Sequence, residues 1–186
     1  VNFHLLWFGL AAVVLGYFYT GDPLRLAYRG VGEIFVFLKS GPLAVCGTYL
    51  LFTGEITLEA LLISIPQGLL IAAILFINEF PDYAADRAAA KLHIVVRITR
   101  QKPRYYSMGI LVLIYFSLII PVVLGIFPLY LLITLATVPI ASQAAVIAFR
   151  KYDDELAIIP AQARTIMLTL ALGLSISLGY VLDRFF

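Results

Sequence analysis

The sequence predicts an all-α fold, a polytopic bundle of transmembrane helices, and three observations carry that prediction. Of the 186 residues 62% are hydrophobic and 13% charged, with mean hydropathy +1.00, whereas soluble domains run at about 45–50% apolar and about 25% charged. Six apolar stretches approach the ~20 residues that cross ~30 Å of hydrocarbon. The alternation that a membrane β-barrel requires is absent. A water-soluble fold of this size could not bury so much apolar surface. A net charge of +2 is too small to argue for a nucleic-acid partner. One cysteine, Cys46, excludes an internal disulfide and reads as a small buried residue.

The spans follow in order. The first, Phe3–Tyr19, has no basic segment ahead of it and does not read as a cleavable signal peptide. The chain opens on Val1, so its N-terminus reads as the cut edge of something longer. The second span, Gly30–Phe52, carries Pro42 and closes at Thr53-Gly54. The third, Leu58–Ile77, carries Pro66, and the fourth, Tyr105–Leu124, carries Pro121 ahead of a turn from Gly125 to Pro128. The fifth, Leu129–Phe149, carries Pro139, and the sixth, Ala161–Leu182, follows Pro160. Internal prolines predict kinks, which a membrane helix tolerates when neighbours satisfy the freed carbonyls. No linker or low-complexity tract divides the chain, so residues 1–186 read as a single domain.

If every span crosses, segments 20–29, 78–104 and 150–164 share one side. They hold Arg25, Arg29, Arg87, Lys91, Arg97, Arg100, Lys102, Arg104, Arg150, Lys151 and Arg164, eleven of the thirteen Lys and Arg. The opposite turns, 53–57 and 125–128, hold none. The positive-inside rule makes the charged side cytoplasmic. Chemistry is expected there, because the other face is short and apolar.

The segment Asn78-Glu79-Phe80-Pro81-Asp82-Tyr83-Ala84-Ala85-Asp86-Arg87 is the most informative in the chain. Asp82 and Asp86, four apart, share one helix face, and Asn78 lies four residues earlier. Two carboxylates this close repel unless a cation lies between them. Hard oxygen ligands so arranged suit Mg²⁺, which keeps several waters and takes further ligands from substrate phosphates. Pro81 should bend the third span and let Asp82 open a short helix at the membrane edge. Lys91, five residues after Asp86, is the best-placed cation for a diphosphate. Arg100, Lys102 and Arg104 read as topology signals and His93 as an ordinary loop residue.

These residues resemble a known family. Asn78-x-x-x-Asp82-x-x-x-Asp86, followed by Lys91 and Ile94-Val95-Val96-Arg97, looks like the second aspartate-rich motif of the UbiA superfamily of membrane prenyltransferases. Tyr19-Thr20-Gly21 with Leu26-Ala27-Tyr28-Arg29-Gly30-Val31-Gly32-Glu33 is similar to a loop of the 1,4-dihydroxy-2-naphthoate branch. The resemblance covers essentially the whole chain, as the C-terminal two thirds of a nine-helix fold. It implies Mg²⁺-dependent transfer of a polyprenyl group from a polyprenyl diphosphate to an aromatic acceptor such as 1,4-dihydroxy-2-naphthoate, in the bilayer. Carried over by position, Asn78, Asp82 and Asp86 would hold Mg²⁺; Asp82, Asp86 and Lys91 would be catalytic. Tyr28, Arg29, Lys91 and Arg97 would bind substrate. The family's first aspartate-rich motif is not found between Val1 and Asn78, so three helices are expected ahead of this sequence. Ala90 stands where many relatives have glycine.

Two other classes compete. A CDP-alcohol phosphotransferase also uses aspartates four apart, but its longer Asp-Gly-x-x-Ala-Arg signature is absent. A truncated homologue could act without catalysis, as a lipid-binding or scaffold protein. Among the remaining polar residues, Glu33 is placed at the membrane edge, and Lys39 either lines the site or snorkels. Gln67 and Gln143 read as helix–helix hydrogen bonders. Asp153-Asp154-Glu155 reads as a solvated loop.

Overall fold

The computed structural model describes residues 3–98 and 102–186. Among them the secondary structure is helical, without strands. Eight helices are labelled in order: α1 Phe3–Thr20, α2 Gly32–Thr53, α3 Leu58–Asn78, α4 Tyr83–Ala88, α5 Ile94–Arg97, α6 Pro103–Val123, α7 Leu129–Lys151 and α8 Ile159–Phe185. Arg100, one of the expected topology cations, lies outside the described residues.

Five of these, α2, α3, α6, α7 and α8, are long and apolar enough to cross a membrane. The sixth expected span corresponds to α1, whose described apolar part, Leu5–Thr20, falls short of that length. The protein is therefore an integral membrane protein built as a polytopic helical bundle. Its outward apolar side chains, among them Trp7, Val13, Phe52, Val123 and Leu174, are exposed, as lipid-facing positions must be.

The prolines act as expected in kind but not always in place. Pro42 falls within a π-helical turn, Lys39–Leu43, that widens α2. Pro66 lies inside α3 and Pro121 near the end of α6. Pro139 does not kink an α-helix: α7 begins as a 3₁₀ helix over Leu129–Thr137 and becomes α-helical at Val138, so Pro139 occupies a first turn. Its missing N–H costs little there. The 3₁₀ stretch is held by Thr134 Oγ1 donating to Leu131 O and Thr137 Oγ1 donating to Thr134 O, both 2.7 Å. It is also pressed against Gly179 of α8, where a Cβ would lie 3.1 Å from Leu131 Cα.

Helix α3 is central, packed by α2, α6 and α8. The α2–α3 crossing is a glycine-on-glycine contact. A Cβ on Gly41 would lie 2.6 Å from Ser64 O, and one on Gly68 would lie 2.7 Å from Phe37 O. Below the charged end, Leu70, Ile114, Leu118, Leu131, Leu168 and Leu172 form one core shared by α3, α6, α7 and α8. A second apolar cluster lies under the charged end itself: Phe76, Ile77 and Phe80 from the end of α3, Val95 from α5, and Ala148, Ile158 and Ala161. That cluster makes the floor on which the polar loops rest.

Two expectations on polar residues change. Gln143 is exposed and makes no side-chain hydrogen bond among the described residues, because it falls outside the buried Ala141, Ala144 and Ala148 stripe of α7. Arg104 does more than mark topology. Its guanidinium lies 4.6 Å from the Phe149 ring, 4.9 Å from Tyr152 and 5.0 Å from Tyr105, a cation–π contact joining α6 to the end of α7.

Candidate active site

Helix α3 ends at Asn78, and Asp82 opens α4 after one turn. Helix α4 then closes in a Schellman arrangement: Ala90 N–H donates to Arg87 O and Lys91 N–H to Asp86 O, with Ala90 at φ +53°. That closure returns Lys91 to Asp86. The Lys91 ammonium Nζ then donates to Asp86 Oδ2 at 2.8 Å, so main chain and side chain converge on one aspartate. From the other side His93 Nε2 lies 3.0 Å from the same Oδ2. Asp86 Oδ1 accepts no hydrogen bond among the described residues.

His93 is the hinge of a buried row. It is 1% exposed, and its Nδ1 lies 3.1 Å from Glu79 Oε2, at ion-pair distance but outside good hydrogen-bond geometry. Glu79 is 6% exposed, and so is Glu33 in the first turn of α2. Glu33 Oε1 accepts the Ile94 N–H at 3.3 Å, which fixes the residue after His93. The row Glu33, Glu79, His93, Asp86, Lys91 thus joins α2, α3, α4 and the loop before α5.

Its charges are mutually tuned. Burial pushes the Glu79 carboxyl up to about 7; the close contact with His93 pulls it down and the neighbouring Glu33 charge raises it further. Burial opposes protonation of His93, but the Glu79 contact and the Glu79 and Asp86 charges outweigh it and raise its pKa. Lys91 follows the same logic: burial lowers it, while the Asp86 hydrogen bond and the Asp86, Glu79 and Asp82 charges raise it.

The loop after α1 closes over this row. Leu92 N–H donates to Tyr28 O at 3.2 Å. Gly30, at φ +72°, lets Arg97 lie flat against it: a Cβ there would be 2.7 Å from Arg97 Cδ and Nε. Tyr19, at the end of α1, is within electrostatic reach of Glu79, Glu33 and Lys91. Beneath lies a cavity of about 470 Å³ lined by Ala12, Lys39, Gln67 and Ile71 among others. Counted from Tyr19, Glu33 and Glu79, Ala12, Lys39 and Ile71 at its near edge stand about 9–12 Å along their helices from the polar row at 1.5 Å per residue. It adjoins a cavity of about 700 Å³ that shares Ser40, Ala44 and Gln67 and runs to Tyr49, Phe52 and Tyr180.

A polar, cationic edge over an apolar slot fits a ligand with a charged head and a long apolar tail, and residues 1–170 match the UbiA prenyltransferase family. The chain belongs to that family. Over 177 residues it is 26% identical to the 1,4-dihydroxy-2-naphthoate octaprenyltransferase of Bacillus subtilis (strain 168), covering 95% of this chain and 57% of that protein. It is 30% identical over 177 residues to the protein of the same description from Haemophilus influenzae, covering 94% and 56%. Against the chloroplastic 2-carboxy-1,4-naphthoquinone phytyltransferase of Arabidopsis thaliana it is 28% identical over 182 residues, covering 94% and 48%. A solved chain from a study of digeranylgeranylglyceryl phosphate synthase in membranes shares the fold, with TM-score 0.77, 16% identity, and coverage of 96% of this chain and 62% of that one. The UbiA chain described here spans about half the length of the curated relatives it matches.

Within this UbiA chain the expected site residues do not all converge. Asp86 and Lys91 are in direct contact, whereas Tyr28 and Arg97 meet the neighbouring Leu92: the Tyr28 carbonyl accepts its N–H while the Tyr28 ring faces Arg25, and Arg97 Nε donates to Leu92 O at 2.6 Å. Asn78, the last residue of α3, and Asp82, which opens α4, are exposed on either side of the turn between the two helices. Arg29 turns to its own loop, its Nη2 donating to Pro23 O at 3.0 Å. Lys39 and Gln67 line the cavity. Asp154 is spent on its own turn, with Oδ1 accepting the Leu156 and Ala157 N–H groups, which hold its pKa below the ordinary value. His93, expected as an ordinary loop residue, is at the centre of the row, and it is joined there by Glu79, which carries no functional expectation from sequence. The one sequence signal for Glu79 was an acid next to Asn78 at the end of an apolar helix.

The donor set suits a hard divalent cation. Asn78, Asp82 and the unengaged Asp86 Oδ1 are all oxygen donors. Among the described residues no three His, Cys, Asp or Glu are gathered to enclose a metal. Mg²⁺ needs only one or two protein carboxylates, the rest of its shell being water and substrate phosphate.

Proposed function

We propose that this protein transfers a polyprenyl group from a polyprenyl diphosphate to an aromatic acceptor in the membrane, in the manner of naphthoate prenyltransferases. The observation that carries the reading is the convergence of Lys91 on Asp86 above an apolar cavity, in a chain matching such enzymes along its length. Magnesium held by Asn78, Asp82 and Asp86 would neutralise charge gathering on the leaving diphosphate. Lys91 adds a fixed cation on the same side, and Arg97 a second one nearby. The allylic C–O bond breaks with its electron pair leaving on the diphosphate. The acceptor ring supplies the pair for the new C–C bond, then loses the group at the attacked carbon without its bonding electrons. The apolar slot keeps water from the cationic prenyl carbon, and the paucity of Lys and Arg at the opposite turns supports a cytoplasmic charged end.

The test is Mg²⁺-dependent binding of farnesyl diphosphate to the protein in lipid nanodiscs. Asp82→Asn and Asp86→Asn should each weaken binding at least tenfold. Unchanged binding in both would sink the site assignment and leave the non-catalytic lipid-binding or scaffold reading.

A further inference from the structure

We propose that His93 is a positioning residue for Asp86, acting through Nε2, with Glu79 and Glu33 as the anchor that holds its ring. The proposal rests on the metal-dependent reading above and adds residues outside the Asn78, Asp82 and Asp86 set. The two oxygens of Asp86 are used unequally. Oδ2 takes both Lys91 Nζ at 2.8 Å and His93 Nε2 at 3.0 Å, whereas Oδ1 takes no hydrogen bond among the described residues. Asp86 sits on a helix of six residues, too short to hold a carboxylate in one rotamer by itself. Two donors on one oxygen fix the plane of the carboxylate and reserve the other oxygen for a cation.

Lys91 alone could not do this, being flexible and 32% exposed at its side chain. His93 can, because it is held on every side. Glu79 Oε2 stands 3.1 Å from Nδ1, Glu33 binds the Ile94 N–H, and Val95 is 1% exposed in the apolar floor. The short helix α4 is thereby referenced to the long helices α2 and α3. The arrangement is poor as mere packing. Glu33 Oε2, Glu79 Oε2 and His93 Nδ1 are buried without a hydrogen bond of good geometry, and apolar residues of similar size would fill the space at less cost. Such a conflict, kept beside Asp86, points to a task.

The test uses the protein in lipid nanodiscs, with Mn²⁺ and inorganic diphosphate as probes and bound Mn²⁺ read by electron paramagnetic resonance. His93→Gln puts an N–H near the position of Nε2, while His93→Asn keeps one near Nδ1 and drops the bond to Asp86. Loss of a supporting contact of this kind typically weakens metal binding 10–100-fold. The expected result is at least tenfold weaker Mn²⁺ binding for His93→Asn and a value within about threefold of wild type for His93→Gln. Equal affinities in the two variants, or equal losses, would overturn the proposal. Should His93→Asn fail to fold, Glu79→Gln decides, because it loosens the ring in place: at least a threefold loss supports the anchor, and none refutes it. Asp86→Asn separates the two levels. If it too binds Mn²⁺ normally, the metal reading fails; if it alone loses binding, only the role of His93 fails.

Discussion

Replacing Gly68 with alanine tests whether the α2–α3 crossing sets the distance between the two helices that carry Glu33 and Glu79. A methyl group at Gly68 would lie 2.7 Å from Phe37 O and 3.1 Å from Gly41 Cα, against an ordinary contact of 3.4 Å or more. Both neighbours are backbone, so the helices must part by 3.4 − 2.7, or 0.7 Å, for the carbonyl contact to become ordinary. Overpacking of this kind costs about 1–3 kcal/mol. The gain from replacing glycine in a helix offsets up to about 1 kcal/mol of it. The net expectation is a loss of roughly 1–2 kcal/mol. Gly173→Ala is the control, because nothing lies within 4 Å of a Cβ there, and it should be neutral or slightly stabilising. The assay is the unfolding temperature of each variant in the same nanodisc, followed by binding of farnesyl diphosphate. Gly68→Ala should melt below Gly173→Ala and bind more weakly, since moving α2 displaces Glu33 from Ile94. If Gly68→Ala melts as high as the control, the backbone contact does not hold the helices and the reasoning is wrong.

Three further outcomes are expected. Ala90 occupies the left-handed position of the Schellman closure at φ +53°, where a Cβ costs about 1 kcal/mol, so Ala90→Gly should raise the unfolding temperature and leave Lys91 on Asp86. Thr57 caps α3 by accepting the Ala60 N–H on Oγ1 at 3.1 Å; Thr57→Ala should cost about 1 kcal/mol in thermal unfolding without changing diphosphate binding. Glu79 is raised from 4.5 to about 7, so its favourable share of stability is complete below pH 4.5 and is lost as pH climbs toward 7. That rise corresponds to roughly 3 kcal/mol. The unfolding temperature of the wild type should therefore fall between pH 4.5 and 7 relative to Glu79→Gln, and parallel curves would contradict the burial argument.

The parts of this molecule written in local pattern were readable from the sequence. Span lengths follow from apolar runs, and the helix opened by Asp82 follows from Pro81 and the four-residue spacing to Asp86. What could not be read depends on contacts between distant residues. Glu33 meets Ile94 across 61 positions, and no periodicity links Glu79 to His93, which the closure at Ala90 and the packing of the loop after it bring together. The 3₁₀ start of α7 was equally hidden. Leu129 to Thr137 would serve as α-helix, and only the press of Gly179 and the threonine hydroxyls selects the tighter winding. Lys39 is ambiguous in sequence for a related reason: cavity lining and snorkelling share one signature, and it is the packing of α1, α2 and α3 that puts Lys39 at the cavity wall.

The fit of Arg97 over Gly30 has an evolutionary consequence. A side chain at position 30 would need both a left-handed backbone and the space now filled by Arg97 Cδ and Nε. Position 30 is not free to drift while Arg97 is kept. Across natural variants of this chain, loss of glycine at 30 should therefore coincide with a shorter residue at 97, producing paired substitutions in two segments far apart in the gene. A variant that adds a side chain at 30 while keeping Arg97 would have to displace the Tyr28–Leu92 bridge, separating the two loops that meet over Asp86.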